Sequence, residues 1–143
     1  MTIKVGDTLP SATLAYMGPN GPAQITTEEL TKGKKVVIFG LPGAFTPTCS
    51  AKHVPGYVQN AAALKSKGVD AVACISVNDP FVMGAWGKDQ GSGDKVMMLA
   101  DGSGVFTKAA GMELDLTARG LGVRSMRYAA IVDNGVVKWL AIE

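Results

Sequence analysis

The chain predicts an α/β fold in one domain. Strand-like and helix-like segments alternate along its 143 residues. Its apolar runs have strand length without polar alternation, and helix start and stop signals bracket the segments between them. At this length a single domain can bury a substantial core without disulfide staples or a structural metal.

The first run, Lys35 to Gly40 (KVVIFG), reads as a central strand covered on both faces. Lys32, Lys34 and Lys35 read as a solvated turn before it. A long helix is expected over 47–67, ended by Gly68 with Lys65 and Lys67 in its last turn, and kinked near 53–57 by the internal Pro55. A second buried strand follows over 69–77. Asn78-Asp79-Pro80 then supplies a cap and a first-position proline for a helix running to about Gln90. A third strand is expected over 96–100 and a short helix over 103–110, closed by Gly111. The stretches 127–132 and 136–142 flank Asp133-Asn134-Gly135, whose turn chemistry marks a hairpin. Gly91-Ser92-Gly93-Asp94-Lys95 lacks the spacing of a phosphate loop, and Gly120-Leu121-Gly122 does not complete a dinucleotide fingerprint, so both read as loops.

Composition narrows the function classes. With 47% apolar and 18% charged residues the chain is of the soluble globular class, and a net charge of +2 gives no argument for nucleic acid or an anionic membrane. No apolar run reaches bilayer-spanning length, and the start MTIKVGDTLP lacks a secretory h-region. The expected location is the cytoplasm, with an organellar matrix as the alternative. Two cysteines make no disulfide framework, and one histidine with two separated cysteines is poor zinc-site material, so no metal is expected, and the thiol chemistry set out below requires no organic cofactor.

The chemistry concentrates in Pro42-Gly43-Ala44-Phe45-Thr46-Pro47-Thr48-Cys49. Thr46 fits an N-cap and Pro47 the first helical position, which places Cys49 in the first turn. There the unpaired N–H groups and the positive end of the helix dipole favour thiolate over thiol, and thiolate is the form that attacks. His53, the lone histidine, lies four residues on. It admits two readings, a Cys–His nucleophile pair as in cysteine hydrolases or a side chain that orients the loop. Cys74, within a buried-strand context, reads as a small core hydrophobe. Trp86, with Phe45 and Pro42, reads as an apolar wall around the site or a dimer contact, or else as part of the core. A disulfide reductase is disfavoured, because Lys52 stands where a Cys-x-x-Cys motif needs its second sulfur.

Pro42, Thr46 and Cys49 stand in the Pro-x-x-x-Thr-x-x-Cys arrangement of the peroxiredoxins, and PGAFTPTCS resembles their type II, peroxiredoxin-5-like branch. The resemblance continues through HVPGY at 53–57, KSKGVDAVACISVNDPFVMGAWG at 65–87, residues 99–104, GLGVRSMRYA at 120–129 and the DNG turn at 133–135. It implies a thioredoxin-like fold over residues 1–143, with a central mixed sheet flanked by helices. It also implies a thiol peroxidase acting on hydrogen peroxide and alkyl hydroperoxides, in which Cys49 becomes a sulfenic acid. Glutaredoxin with glutathione, or thioredoxin, would return it to thiol. Arg127 matches the family's catalytic arginine, while Arg124, assigned to the preceding loop, supports the site or is solvated. The resemblance further offers Cys74 as a resolving thiol, a homodimer formed near the active-site loop, and a C-terminal helix beyond Glu143 that this chain lacks. The alternative from another class is a redox-sensing interaction protein using the same Cys49.

Overall fold

The buried runs expected as strands lie side by side at the centre of a seven-stranded sheet, in a computed structural model that describes residues 2–47 and 49–143, at Cys49 and Ala51 by their backbone alone. In chain order the strands of that sheet are β1 (Thr13–Gly18), β2 (Gly21–Thr26), β3 (Lys35–Gly40), β4 (Ala71–Ser76), β5 (Met97–Ala100), β8 (Tyr128–Asp133) and β9 (Val136–Ile142). Two further strands, β6 (Glu113–Leu116) and β7 (Gly122–Ser125), pair antiparallel in a separate ribbon. The spatial order is β2-β1-β5-β4-β3-β8-β9. β3, β4 and β5 are parallel, and antiparallel pairs flank them, which makes the sheet mixed.

Continuous apolar sequence in the central strands follows from burial on both faces. On one side Val36, Ile38, Ala73, Ile75 and Leu99 pack with Leu30 of α1 (Thr27–Thr31) and Phe106 of α4 (Val105–Ala109). On the other, Val37, Phe39, Val72 and Cys74 pack under Val54 of α2 (Val54–Ser66) and under Met83 and Trp86 of α3 (Pro80–Gln90).

The local signals act where they stand in the sequence. The Asp79 carboxylate accepts from the Val82 amide at 2.8 Å and caps α3, with Pro80 in the first turn and Gly91 in the left-handed region at its end. Asn134 and Gly135 both have positive φ in the β8–β9 turn, as a two-residue hairpin requires.

Four expectations need correction. The helix expected over 47–67 is not uniform: residues Cys49–His53 form a π turn, and the regular helix begins at Val54. Pro55 therefore lies in the first turn of α2, where its missing N–H costs little, and the irregularity precedes it instead of centring on it. The strand expected from 69 begins at Ala71, because the Val69 amide donates back to Leu64 and closes α2. The helix expected from 103 begins at Val105, since the buried Asp101 carboxylate accepts from the Phe106 and Thr107 amides and from the Thr107 hydroxyl. Arg124 lies not in a loop but on β7, opposite Leu114.

Candidate functional site

β3 ends at Gly40, and Leu41 to Pro47 cross from its carboxyl end to the helix start. Gly40 pairs with Tyr128 across the β3–β8 ladder, so the sheet register brings Arg127, the residue before Tyr128, to the beginning of this segment. A Cβ at Gly40 would sit inside the Tyr128 ring, which leaves glycine as the residue that permits this approach.

Three consecutive residues of the loop are pinned by groups from different parts of the chain. Arg124 Nη1 donates to the Pro42 carbonyl at 3.2 Å. The Thr46 hydroxyl donates to the Gly43 carbonyl at 2.7 Å. The Ala44 amide donates to Oδ1 of Asn78 at 3.0 Å, and the same oxygen accepts from the Ser76 hydroxyl at 2.7 Å. With its proton on Gly43, the Thr46 oxygen presents lone pairs to whatever else approaches. Phe45 follows in the left-handed region with φ 61° and is 54% exposed.

The Ser50 amide donates to the Thr46 carbonyl at 2.9 Å, leading into the π turn at Cys49–His53. Thr48 and the side chain of Cys49, on which the thiolate expectation rests, lie outside the described residues. The fully buried Trp86 donates from its indole N–H to Ser50 Oγ at 3.1 Å, and its ring centroid lies 6.3 Å from that of Phe45. Trp86 is thus at once core and the inner wall of the loop.

Arg127 and His53 are joined directly, Nη1 to Nδ1 at 2.8 Å. A guanidinium can only donate, so Nδ1 is the acceptor and the ring is neutral with its proton on Nε2. Burial, and secondarily the Arg127 charge, push the His53 pKa down to about 4. Phe39 and Tyr57 hold the imidazole, their rings stacked 3.9 Å apart, with Phe39 4.9 Å and Tyr57 5.6 Å from it. On its other side Arg127 Nε lies 3.6 Å from the Glu143 carboxylate, while its carbonyl accepts from the Glu143 amide. A groove of about 450 Å³, lined by Lys52, His53, Tyr57, Asn60, Leu64 and Arg127, opens beside the pair.

Pro42, Phe45, Thr46, His53, Trp86, Arg124 and Arg127 therefore surround one helix start. Cys74 belongs to the layer beneath: fully buried on β4, it pairs with Phe39 and packs in the cluster that holds Leu41, Val54 and Trp86. Burial first, and then Cys74, raise the phenol pKa values of both Tyr57 and Tyr128. Asn78, Ser50, Phe39 and Tyr57 have site roles that the sequence reading left unassigned. Asn78, Ser50 and Phe39 act through partners distant in sequence, and Tyr57 adds a contact with Phe39 to its local one with His53; Asn78 was legible only as part of the cap before α3.

Comparison with known proteins identifies the family. The redoxin family model matches residues 4–143. Peroxiredoxin-2E, chloroplastic, of Arabidopsis thaliana is 58% identical over 99% of the chain, which spans 62% of that relative's length. Peroxiredoxin-2B of the same plant is 53% identical over 92% of the chain and 82% of its own. The crystal structure of reduced Prx3 from Vibrio vulnificus in complex with H2O2 superposes with a TM-score of 0.95 at 53% identity, covering 99% of this chain and 89% of that one. With its mixed sheet, its helices on both faces and these relatives, the chain belongs to the redoxin family, among the peroxiredoxins.

Proposed function

We propose that the chain is a thiol-dependent peroxidase whose nucleophile is Cys49. The observation that carries this reading is the Arg127 guanidinium held by His53, four residues after Cys49, at the start of the helix. The Cys49 thiolate attacks the terminal oxygen of a hydroperoxide, forming an S–O bond as the O–O bond breaks. The leaving oxygen departs as hydroxide or alkoxide, takes a proton to become water or an alcohol, and leaves Cys49 as sulfenic acid. Arg127 stabilises the thiolate and the negative charge moving onto the leaving oxygen, Thr46 supplies an oxygen to order the peroxide, and Pro42 shapes the wall.

A thiol reductant, either glutaredoxin with glutathione or thioredoxin, attacks the sulfenic sulfur, releases water and leaves a mixed disulfide. A second thiol then frees Cys49. The exposed Phe81 and Met17 border an apolar groove of about 890 Å³ beside α3, where we place the contact between two copies. Peroxide consumption with a dithiol donor tests the central claim. Cys49→Ser should abolish it, and turnover surviving in that variant would remove Cys49 from the mechanism.

A further inference from the structure

The peroxidase reading leaves a second arginine and the ribbon that carries it without a role. Arg124 projects from β7, half-buried, and its guanidinium makes two hydrogen bonds through different nitrogens. Nε donates at 2.8 Å to the carbonyl of Leu121, and Nη1 donates at 3.2 Å to the carbonyl of Pro42. The Leu121 carbonyl is set by its neighbours, since Gly120 and Gly122 have φ of 75° and 70°, a left-handed conformation that side-chain-bearing residues rarely adopt. The Gly-Leu-Gly motif thus has a structural purpose as a turn whose carbonyl aims the guanidinium.

The far end of Arg124 lies against Gly43. A Cβ added there would stand 2.6 Å from Nη1, so glycine makes room for the guanidinium. Resting on the peroxidase reading, we infer that Arg124 is a positioning residue for the reaction: anchored on Leu121, it clamps the Pro42–Gly43 peptide and so fixes the loop through which Thr46 and the helix start meet the peroxide.

Two features make the clamp specific to arginine. Its planar fork can serve two carbonyls in different directions, whereas a lysine ammonium is a point charge on a flexible stem. Its bond to Pro42 also completes a sequence of tethers: Arg124 holds residue 42, Thr46 holds residue 43 and Asn78 holds residue 44. Without Arg124 the amino-terminal tether is lost and the other two must hold the loop alone. A displacement of about 1 Å in a positioned group can cost on the order of a hundredfold in rate.

The test compares the unaltered protein with Arg124→Ala and Arg124→Lys in three measurements: the second-order rate constant with hydrogen peroxide, the rate of Cys49 alkylation by iodoacetamide, and amide hydrogen exchange over residues 43–46. Alkylation needs only a thiolate and not an ordered peroxide. The clamp predicts that Arg124→Ala lowers the peroxide rate constant by about ten- to a hundredfold, leaves alkylation unchanged and speeds exchange in the loop, with Arg124→Lys recovering part of each loss. Equal losses in peroxide reaction and alkylation, or unchanged loop exchange, would overturn it. If Arg124→Ala does not fold, Arg124→Lys decides by the same measurements. Should the unaltered protein consume no peroxide, the peroxidase reading fails alone, and loop exchange still decides the clamp.

Discussion

Nη1 of Arg127 lies 2.8 Å from Nδ1 of His53, which joins a cation on the strand side of the site to a neutral acceptor on the helix side. The contact uses the imidazole as an acceptor, so it exists only while His53 is unprotonated. It gives the ring a task of its own, holding the guanidinium in place.

That task predicts a pH dependence of stability. The folded-state pKa of His53 is pushed down to about 4 from 6.5. Between those values the unfolded chain binds a proton that the folded chain does not. The stabilisation is therefore complete above 6.5 and is lost as pH falls towards about 4. The groups around the ring are the Arg127 and Lys52 cations, the Tyr57 phenol and the Glu143 carboxylate beyond Arg127. Urea midpoints measured across this window should fall with acidity in the unaltered protein. In His53→Gln, whose amide oxygen can still accept from Arg127, they should fall less; identical curves would remove His53 as the group responsible.

Arg127→Lys should keep the fold and lose most of the rate. The planar fork reaches His53 through one nitrogen and the Glu143 side through another, a division that an ammonium on a flexible stem does not reproduce. Removing one preorganised donor from a developing oxyanion typically costs ~10²–10³ in rate, and a loss of that order is expected in the second-order constant with hydrogen peroxide. A variant within about tenfold of the unaltered protein would place Arg127 outside the reaction.

Gly40→Ala tests the sheet register that delivers the arginine. A methyl group at this position collides with the Tyr128 ring, and overpacking of this kind costs roughly 1–3 kcal/mol. Because Arg127 adjoins Tyr128, the urea midpoint and the peroxide rate should fall together. Full activity in a destabilised variant would separate the register from the chemistry.

Cys74→Ala should leave the first oxidation of Cys49 intact. The Cys74 side chain is fully buried among Phe39, Val72, Met83 and Trp86, so any pairing with Cys49 requires local opening. Sulfenic-acid trapping after one equivalent of peroxide should give the same yield with and without Cys74. A Cys49–Cys74 disulfide under these conditions would overturn the external-reductant scheme.

Elements with their own local signal were legible in the sequence. β3 announced itself as an uninterrupted apolar run, α3 by Asp79-Pro80, and the β8–β9 turn by Asn134-Gly135. The β1–β2 hairpin went unread because it lies at the sheet margin: its strands are only partly buried and carry Pro22 and two glycines where an apolar run would otherwise show. The capping box joining Thr26 to Glu29 at the start of α1 was written in the sequence and passed over. The π turn has no comparable signature, because its extra residue is accommodated by hydrogen-bond geometry more than by side-chain preference.

At the site, Pro42, Thr46 and Cys49 were readable as one motif because the chain brings them together locally. Arg127 required the family's pattern, and Arg124 was misplaced because β6 and β7 are short and polar. Asn78 depends on β4 lying beside β3, and Tyr57 on α2 lying over Phe39, information that no local window contains.

The pairing of Gly40 with Tyr128 also governs when the protein can become active. Its two strands are separated by most of the chain, and such non-local pairings form late because loop closure must precede their reward. A nascent or refolding chain would carry its cysteine long before it carried a guanidinium to serve it. Return of peroxide turnover during refolding should therefore track closure of the sheet and lag the formation of helix.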